Sequence, residues 1–147
     1  MTYCWSNNVF QGDPLMMPPA LANWHKFLET RDWDLLESLL AEDAVFHSPV
    51  VHTPQVGRPL VMLYLRGAME TLGKSNFRYL REVVGETDAV LEFSAEMEGI
   101  YLNGIDMIRW NEAGKIVDFK VMIRPLKAIN LLHQKMAEML QKLQQTQ

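Results

Sequence analysis

The sequence is poor in cysteine. Cys4 is the single cysteine among 147 residues, so no internal disulfide can form and no pair of cysteines is available for a zinc site or a redox motif. A lone thiol suits a reducing compartment, and we therefore expect a cytoplasmic protein.

Long apolar runs and targeting signals are missing as well. A membrane-spanning helix needs about 18 consecutive apolar residues, and the sequence contains no such run. The first twenty residues lack the basic stretch and the apolar core of a signal peptide. The sequence therefore predicts neither export nor membrane insertion.

The chain also has no excess of positive charge. Its formal net charge is −4, which gives no attraction for the phosphates of nucleic acid or for an anionic membrane surface. Hydrophobic residues make up 48% of the chain, enough for one buried core. We expect a single domain over residues 21–147, preceded by an irregular arm, residues 1–20. Glycine and proline in the arm interrupt any helical or strand periodicity.

The first half of the domain has the spacing of helices. Apolar residues at helical intervals begin at Leu21 and resume at Trp33, which predicts a hairpin of two short helices. Residues 44–48 have the composition of a strand. A third helical face follows from Pro59 to Gly73.

The second half alternates between apolar and polar residues, as half-buried strands do. Phe77, Tyr79 and Val83 form one such set, and stronger alternation follows up to Ile123 with two tight turns between the strands. A final helix after Pro125 carries one apolar stripe. This order predicts an α+β fold in which helices pack against one face of a curved antiparallel sheet.

Several motifs resemble those of one superfamily. The stretch 104–116 resembles the strand-turn-strand of nuclear transport factor 2-like proteins, and residues 121–126 are similar to the ending common in SnoaL-like proteins. With shorter likenesses at 31–34 and 41–45, the resemblance spans residues 21–139. It implies a cone-shaped domain with one small-molecule pocket. Members include ketosteroid isomerases, polyketide cyclases, epoxide hydrolases and dehydratases, and also scaffolds without activity, so fold alone does not decide function.

The ketosteroid isomerases offer the sharpest comparison within that superfamily. Their oxyanion-binding carboxylic acid corresponds to Asp106, whereas their general base corresponds to Ser48 and their oxyanion-hole tyrosine to Trp24. A serine hydroxyl without a partner cannot take a proton near neutral pH, so ketosteroid isomerase activity is not expected. SnoaL-type cyclases can work with a single acid/base carboxylate, and Asp106 is a candidate for that role.

Asp106 allows two interpretations. Strand parity places it on the face of Ile108, so its carboxyl is expected to enter an apolar cavity, where burial raises its pKa and leaves a hydrogen-bond donor for a ligand carbonyl. Alternatively, it is a structural carboxylate bonded to the backbone or to a tyrosine. Tyr64 and Tyr79 either share hydrogen bonds with Asp106 or are core residues with their hydroxyls at the rim.

His52 is the third candidate for catalysis, beside Asp106 and Tyr64. It is expected in a loop at the cavity mouth, where an imidazole can act as a general base, although a solvated loop histidine fits equally. His47 and His52 lack a third ligand of suitable spacing, so no metal and no other cofactor is expected.

The expected ligand is a small apolar or cyclic molecule, because the candidate pocket residues are mainly aromatic and aliphatic. Those residues are Trp24, Phe46, Ser48, Tyr79, Phe93, Ile108, Phe119 and Val121. The resemblance also implies a homodimer through the convex sheet face, with Met107, Arg109, Lys120 and Met122 at the interface. Two functions stay open: an acid/base enzyme acting on a cyclic or polyketide-like carbonyl compound, or a non-catalytic module that binds a ligand or a protein.

Overall fold

A computed structural model describes residues 17–74 and 76–145, so residues 1–16 of the expected arm lie outside the described part. The helices are α1 (Pro19–Thr30), α2 (Trp33–Leu39), α3 (Arg58–Leu72) and α4 (Leu126–Gln145). The strands are β1 (Leu40–His47), β2 (Gln55–Val56), β3 (Arg78–Val84), β4 (Asp88–Met97), β5 (Ile100–Trp110) and β6 (Ile116–Arg124). The predicted α+β class is confirmed, and the order of elements matches the prediction except for the short β2, which lies in the segment expected to be a loop.

The strands form one curved, open sheet in the order β2-β1-β6-β5-β4-β3. Strands β3 to β6 make the antiparallel meander that the alternation predicts. Strand β1, however, pairs with β6 in parallel, so the sheet is mixed rather than antiparallel throughout. Strands joined by a tight turn must be antiparallel, but β1 and β6 are far apart in the sequence and no local signal fixes their relative direction.

The break between the first two helices has a local cause. Arg31 takes a left-handed conformation with φ of 56° and ends α1. The carboxylate of Asp32 then accepts hydrogen bonds from the backbone N–H groups of Asp34 and Leu35, at 3.1 and 3.2 Å. These bonds satisfy two of the free donors at the start of α2 and make Asp32 its N-cap.

Strand β3 departs from the predicted alternation. Its register against β4 shifts between Tyr79 and Arg81, as in a β-bulge. Because one extra residue reverses the direction of every side chain that follows, Val83 is turned outward and is 62% exposed. The expectation that Tyr79 and Val83 share a face was therefore wrong.

Strand β5 shows how the sheet makes room for the interior. Its residues alternate between buried and half-buried, and Asp106 and Ile108 are both on the buried face. A Cβ atom at Gly104 would lie 2.6 Å from Cζ of Phe93 and 2.6 Å from the carbonyl oxygen of Met122. Glycine at this position therefore allows the Phe93 ring to lie across β5.

Helix α4 closes one side of the interior. Its buried residues are Ala128, Leu132 and Met136, and it packs mainly against α3. Gly67 lies close to α4, since a Cβ at this position would meet the methyl carbon of Met136 at 3.3 Å. No helix in the described ranges is long and apolar enough to cross a membrane.

Candidate functional site

A cavity lies between the concave face of the sheet and helices α1, α3 and α4. The cavity is small, about 30 Å³ in volume, and is partly open to solvent. Seven of the residues proposed from the sequence line it, namely Trp24, Phe46, Ser48, Phe93, Asp106, Phe119 and Val121. The lining is almost entirely apolar, so a ligand here exchanges water for aromatic and aliphatic contacts.

Asp106 is the ionisable residue in this lining. It is 6% exposed and stands on β5 among aromatic neighbours. Burial raises the pKa of Asp106 to about 7, because the charged form loses its hydration, and a hydrogen bond from Tyr79 lowers it in part. Near neutral pH the side chain is therefore present both as an acid and as a base.

Two hydrogen bonds hold Asp106 in a chain with Tyr79 and Trp24. The indole Nε1 of Trp24 donates to the hydroxyl oxygen of Tyr79 at 3.0 Å. The Tyr79 hydroxyl in turn donates to Oδ2 of Asp106 at 2.6 Å. Burial and the nearby Asp106 charge raise the pKa of Tyr79 well above its ordinary value, so the phenol keeps its proton.

The indole of Trp24 fixes the donor-to-acceptor direction of these two hydrogen bonds. An indole N–H can only donate, so the Tyr79 hydroxyl accepts from Trp24 and must point its own hydrogen at Asp106. Oδ2 of Asp106 is thus occupied as an acceptor. When the carboxyl is neutral, its proton belongs on Oδ1, which has no hydrogen-bond partner among residues 17–74 and 76–145.

The structure separates the two candidate tyrosines. Tyr79 is hydrogen-bonded to Asp106, as expected if the tyrosines share hydrogen bonds with this carboxyl. Tyr64 is half-buried on α3 and packs its ring on Phe46, with ring centroids 5.7 Å apart. It neither lines the cavity nor bonds to Asp106, so a catalytic role for Tyr64 stays a prediction without structural support.

His52 and Ile108 also lie outside the lining. His52 is exposed in the loop between β1 and β2. Ile108 is buried in the core on the same face as Asp106. The role of His52 as a general base stays a prediction.

Ser48 is the residue that the sequence resemblance matches to the general base of ketosteroid isomerases. It follows the last residue of β1 and lines the cavity. Its hydroxyl oxygen accepts a hydrogen bond from the backbone N–H of Val50 at 3.2 Å, as in a local serine turn. Ser48 therefore shapes the cavity wall and supplies no carboxylate.

Part of the lining was not predicted from the sequence. The additional residues are Pro49, Leu65, Ala68, Met69, Leu72, Phe77, Ile123, Leu132 and Met136. The helical stripes of α3 and α4 do identify their inward faces. Stripes cannot distinguish a residue that borders a cavity from one in a close-packed core, because that depends on the facing element.

The histidines do not form a metal site in the described part of the chain. Nε2 of His47 lies 2.9 Å from Oδ2 of Asp118 on the opposite face of the sheet from the cavity. Residues 17–74 and 76–145 contain no group of three or more His, Cys, Asp or Glu side chains placed to hold a metal ion.

The residues expected at a dimer interface do share the convex face of the sheet. Arg109 forms an ion pair with Asp88 at 3.0 Å, and Met122 is 50% exposed. Met107 and Lys120 are opposite each other in the register of β5 and β6. Pairing of this face with a second copy stays a prediction.

Comparison with known proteins places these features in context. A model of the SnoaL-like domain matches residues 21–119. A steroid delta-isomerase from Pseudomonas aeruginosa is 39% identical to this chain, and its structure has a TM-score of 0.80, covering 84% of this chain and 90% of that chain. No curated protein sequence matches.

Two further structures are similar. One is an uncharacterized protein with a cystatin-like fold from Silicibacter pomeroyi, with 33% identity, a TM-score of 0.76, and coverage of 83% of this chain and 85% of that one. The other is SalBIII, an epoxide hydrolase/cyclase-like enzyme with a role in pyran ring formation in polyether salinomycin. At 17% identity and a TM-score of 0.58, over 71% of this chain and 88% of that one, it shares the fold alone. The resemblance predicted from the motifs is confirmed.

Proposed function

The chain belongs to the SnoaL-like domain family, and we propose that it is a cofactor-free acid/base enzyme of the isomerase or cyclase type. Its substrate is a small cyclic or polyketide-like carbonyl compound. Asp106 is the acid that contacts the carbonyl oxygen. The 39% identity to a steroid delta-isomerase supports this class of chemistry without naming a substrate.

The observation that carries the proposal is the hydrogen-bond chain ending on Asp106. Trp24 donates to the Tyr79 hydroxyl and Tyr79 donates to Oδ2, which leaves the carboxyl proton on Oδ1. A neutral carboxyl in an apolar cavity is a strong donor, because its apolar neighbours do not compete for its hydrogen. A ligand carbonyl placed against Oδ1 accepts that hydrogen bond.

Such a group can also transfer its proton. When negative charge develops on the carbonyl oxygen, the Oδ1–H bond breaks as a new O–H bond forms, and Asp106 becomes a carboxylate that the Tyr79 hydroxyl still bonds. The carboxylate then takes a proton back from the substrate or from water. A pKa of about 7 suits both steps near neutral pH.

Two substitutions at Asp106 test this role. Asp106→Asn keeps an N–H donor but has no transferable proton, whereas Asp106→Ala has neither. Thermal-shift assays against cyclic ketones, phenols, steroids and polyketide-like acids first identify a ligand. Turnover of that compound should then fall about 100-fold or more in Asp106→Asn. Asp118→Asn, on the other face of the sheet, is the matched control. Unchanged turnover in Asp106→Asn would contradict the proposal.

A binding module without activity is the second candidate. The observation in its favour is Ser48, because the described residues of the cavity lining include no second ionisable group to take a proton from carbon. This alternative predicts ligand stabilisation that persists in Asp106→Asn, drops in Asp106→Ala, and is accompanied by no turnover. The two candidates therefore differ in one experiment on the same variants.

We further propose a cytoplasmic homodimer. The lone cysteine supports the location. Exposed apolar side chains on the convex face support the dimer, namely Val83, Tyr101 and Met122. Analytical ultracentrifugation should show a dimer that Met122→Glu dissociates, and a monomeric wild type would overturn this assignment.

A further inference from the structure

A second buried polar contact joins α1 to β3 beside the chain from Trp24 to Asp106. Nε2 of His25 lies 2.7 Å from Oε1 of Glu82. The Glu82 side chain has no exposed surface, and 10% of the His25 side chain is exposed. Neither residue lines the cavity, so the contact is not part of the ligand site itself.

Burying these two ionisable side chains costs free energy, and a gain in stability does not explain why the pair is present. A carboxylate without solvent must be compensated, and the imidazole of His25 lies close enough to do so. Neither carboxylate oxygen of Glu82 has a well-formed hydrogen bond within the described ranges, so the contact with His25 is an ion pair. Replacing such a pair with apolar side chains is often neutral or stabilising, so its presence indicates a role other than stability.

The position of the pair along the chain suggests that role. His25 directly follows Trp24 in α1, and Glu82 lies three residues after Tyr79 in β3. In a regular strand, residues three apart point to opposite faces. The register shift between Tyr79 and Arg81 reverses this, so Glu82 and Tyr79 face the same side. The bulge thus brings Glu82 to α1.

The His25–Glu82 pair also contacts Tyr79, the middle residue of the hydrogen-bond chain. The His25 ring stands edge-on to the Tyr79 ring, with centroids 5.8 Å apart and an angle of 85° between the planes. The Tyr79 oxygen must meet Trp24 at 3.0 Å and Asp106 at 2.6 Å at the same time. A small shift of α1 along β3 would break the first of these bonds.

We propose that His25 and Glu82 are positioning residues that clamp α1 onto β3 and so hold the indole N–H of Trp24 against the Tyr79 hydroxyl. The clamp fixes the direction of the hydrogen bond that Asp106 receives. This inference rests on the proposed function for its purpose, but the clamp can be tested without any ligand.

The test follows the indole N–H of Trp24 in the ¹H–¹⁵N spectrum. The protein has four tryptophans, and the Trp24 signal is assigned from its loss in Trp24→Phe. In Glu82→Leu the signal should shift and its N–H should exchange with water roughly tenfold faster. Glu82→Gln keeps an oxygen for the imidazole to meet and should restore slow exchange. Asp118→Asn, which removes the carboxylate beside His47, should change nothing.

A paired substitution covers the case in which Glu82→Leu does not fold. His25→Phe combined with Glu82→Leu replaces both partners with apolar side chains and should remain folded. It should show the same fast exchange at Trp24. A folded Glu82→Leu or double variant with Trp24 exchange as in wild type overturns the clamp. The proposed function is tested separately, by ligand stabilisation of the wild type. A failure of the clamp can therefore be distinguished from a failure of the proposed function.

Discussion

The Tyr79 hydroxyl donates to Oδ2 of Asp106 across 2.6 Å, while the indole of Trp24 donates to the same hydroxyl from 3.0 Å. This arrangement makes Asp106 a carboxyl with one oxygen engaged and the other available. It also joins a helix residue to two residues on different strands of the sheet. The chemistry proposed for the cavity depends on that relationship.

The first prediction concerns stability and pH. Because Asp106 has a pKa of about 7 in the folded protein and about 3.9 when unfolded, the folded state binds more protons between these values. The free energy of unfolding should therefore fall as pH rises from about 4 to about 7, by at most about 4 kcal/mol. Urea unfolding at pH 5 and pH 8 measures the part of this fall that lies above pH 5, at most about 2.7 kcal/mol. Asp106→Asn should lose most of it, and an equally steep dependence in that variant would count against the assignment.

The second prediction concerns Tyr79→Phe. The hydrogen bond from Tyr79 lowers the pKa of Asp106, so its removal should raise that pKa further. The pH at which the fall in stability levels off should then move upward. Urea unfolding across pH 5 to 9 locates this pH. Tyr64→Phe, which removes a hydroxyl that does not bond to Asp106, should leave it in place, and a similar shift in both variants would argue against the bond.

The third prediction concerns Trp24→Phe. The Tyr79 oxygen loses its donor, and its hydroxyl can then turn away from Asp106. A loss of about 1–3 kcal/mol in stability is expected from the unsatisfied buried oxygen. Ligand-induced thermal stabilisation should also fall. Trp110→Phe removes an indole bond to the Glu86 carbonyl at 3.2 Å and is the matched control, because it should keep the ligand response.

The fourth prediction concerns Gly104→Ala. The added methyl group would lie 2.6 Å from the Phe93 ring and from the Met122 carbonyl oxygen, so the ring must move into the cavity. A stability loss of about 1–3 kcal/mol is expected from this overpacking. Chemical denaturation measures it. A ligand that fills the cavity should bind this variant more weakly. Unchanged stability would show that the Phe93 ring can move without a cost in free energy.

Much of the fold could be predicted because its signals are local. The break at Arg31 and Asp32, the strand alternation after Asp88 and the stripe of α4 all match the elements that formed. The parallel pairing of β1 with β6 could not be predicted in this way. Which distant strands meet depends on packing of the whole domain, and no short segment encodes it.

The functional site, like the fold, could be predicted where the sequence signal is local and not where it depends on long-range packing. Strand parity was enough to place Asp106 inside, and a tyrosine partner was anticipated. Choosing Tyr79 over Tyr64 required the structure, because both follow inward patterns on their own elements. Glu82 was missed for a definite reason: regular alternation puts it opposite Tyr79, and only the bulge in β3 turns it toward His25.

The most direct test is an NMR titration of Asp106 in protein labelled with ¹³C-aspartate. Its carboxyl signal is assigned by its absence from the spectrum of Asp106→Asn, and is followed from pH 3 to pH 9. The account predicts a midpoint at about 7, set by burial in the apolar cavity. A midpoint near 4, the ordinary value for an exposed aspartate, would contradict it.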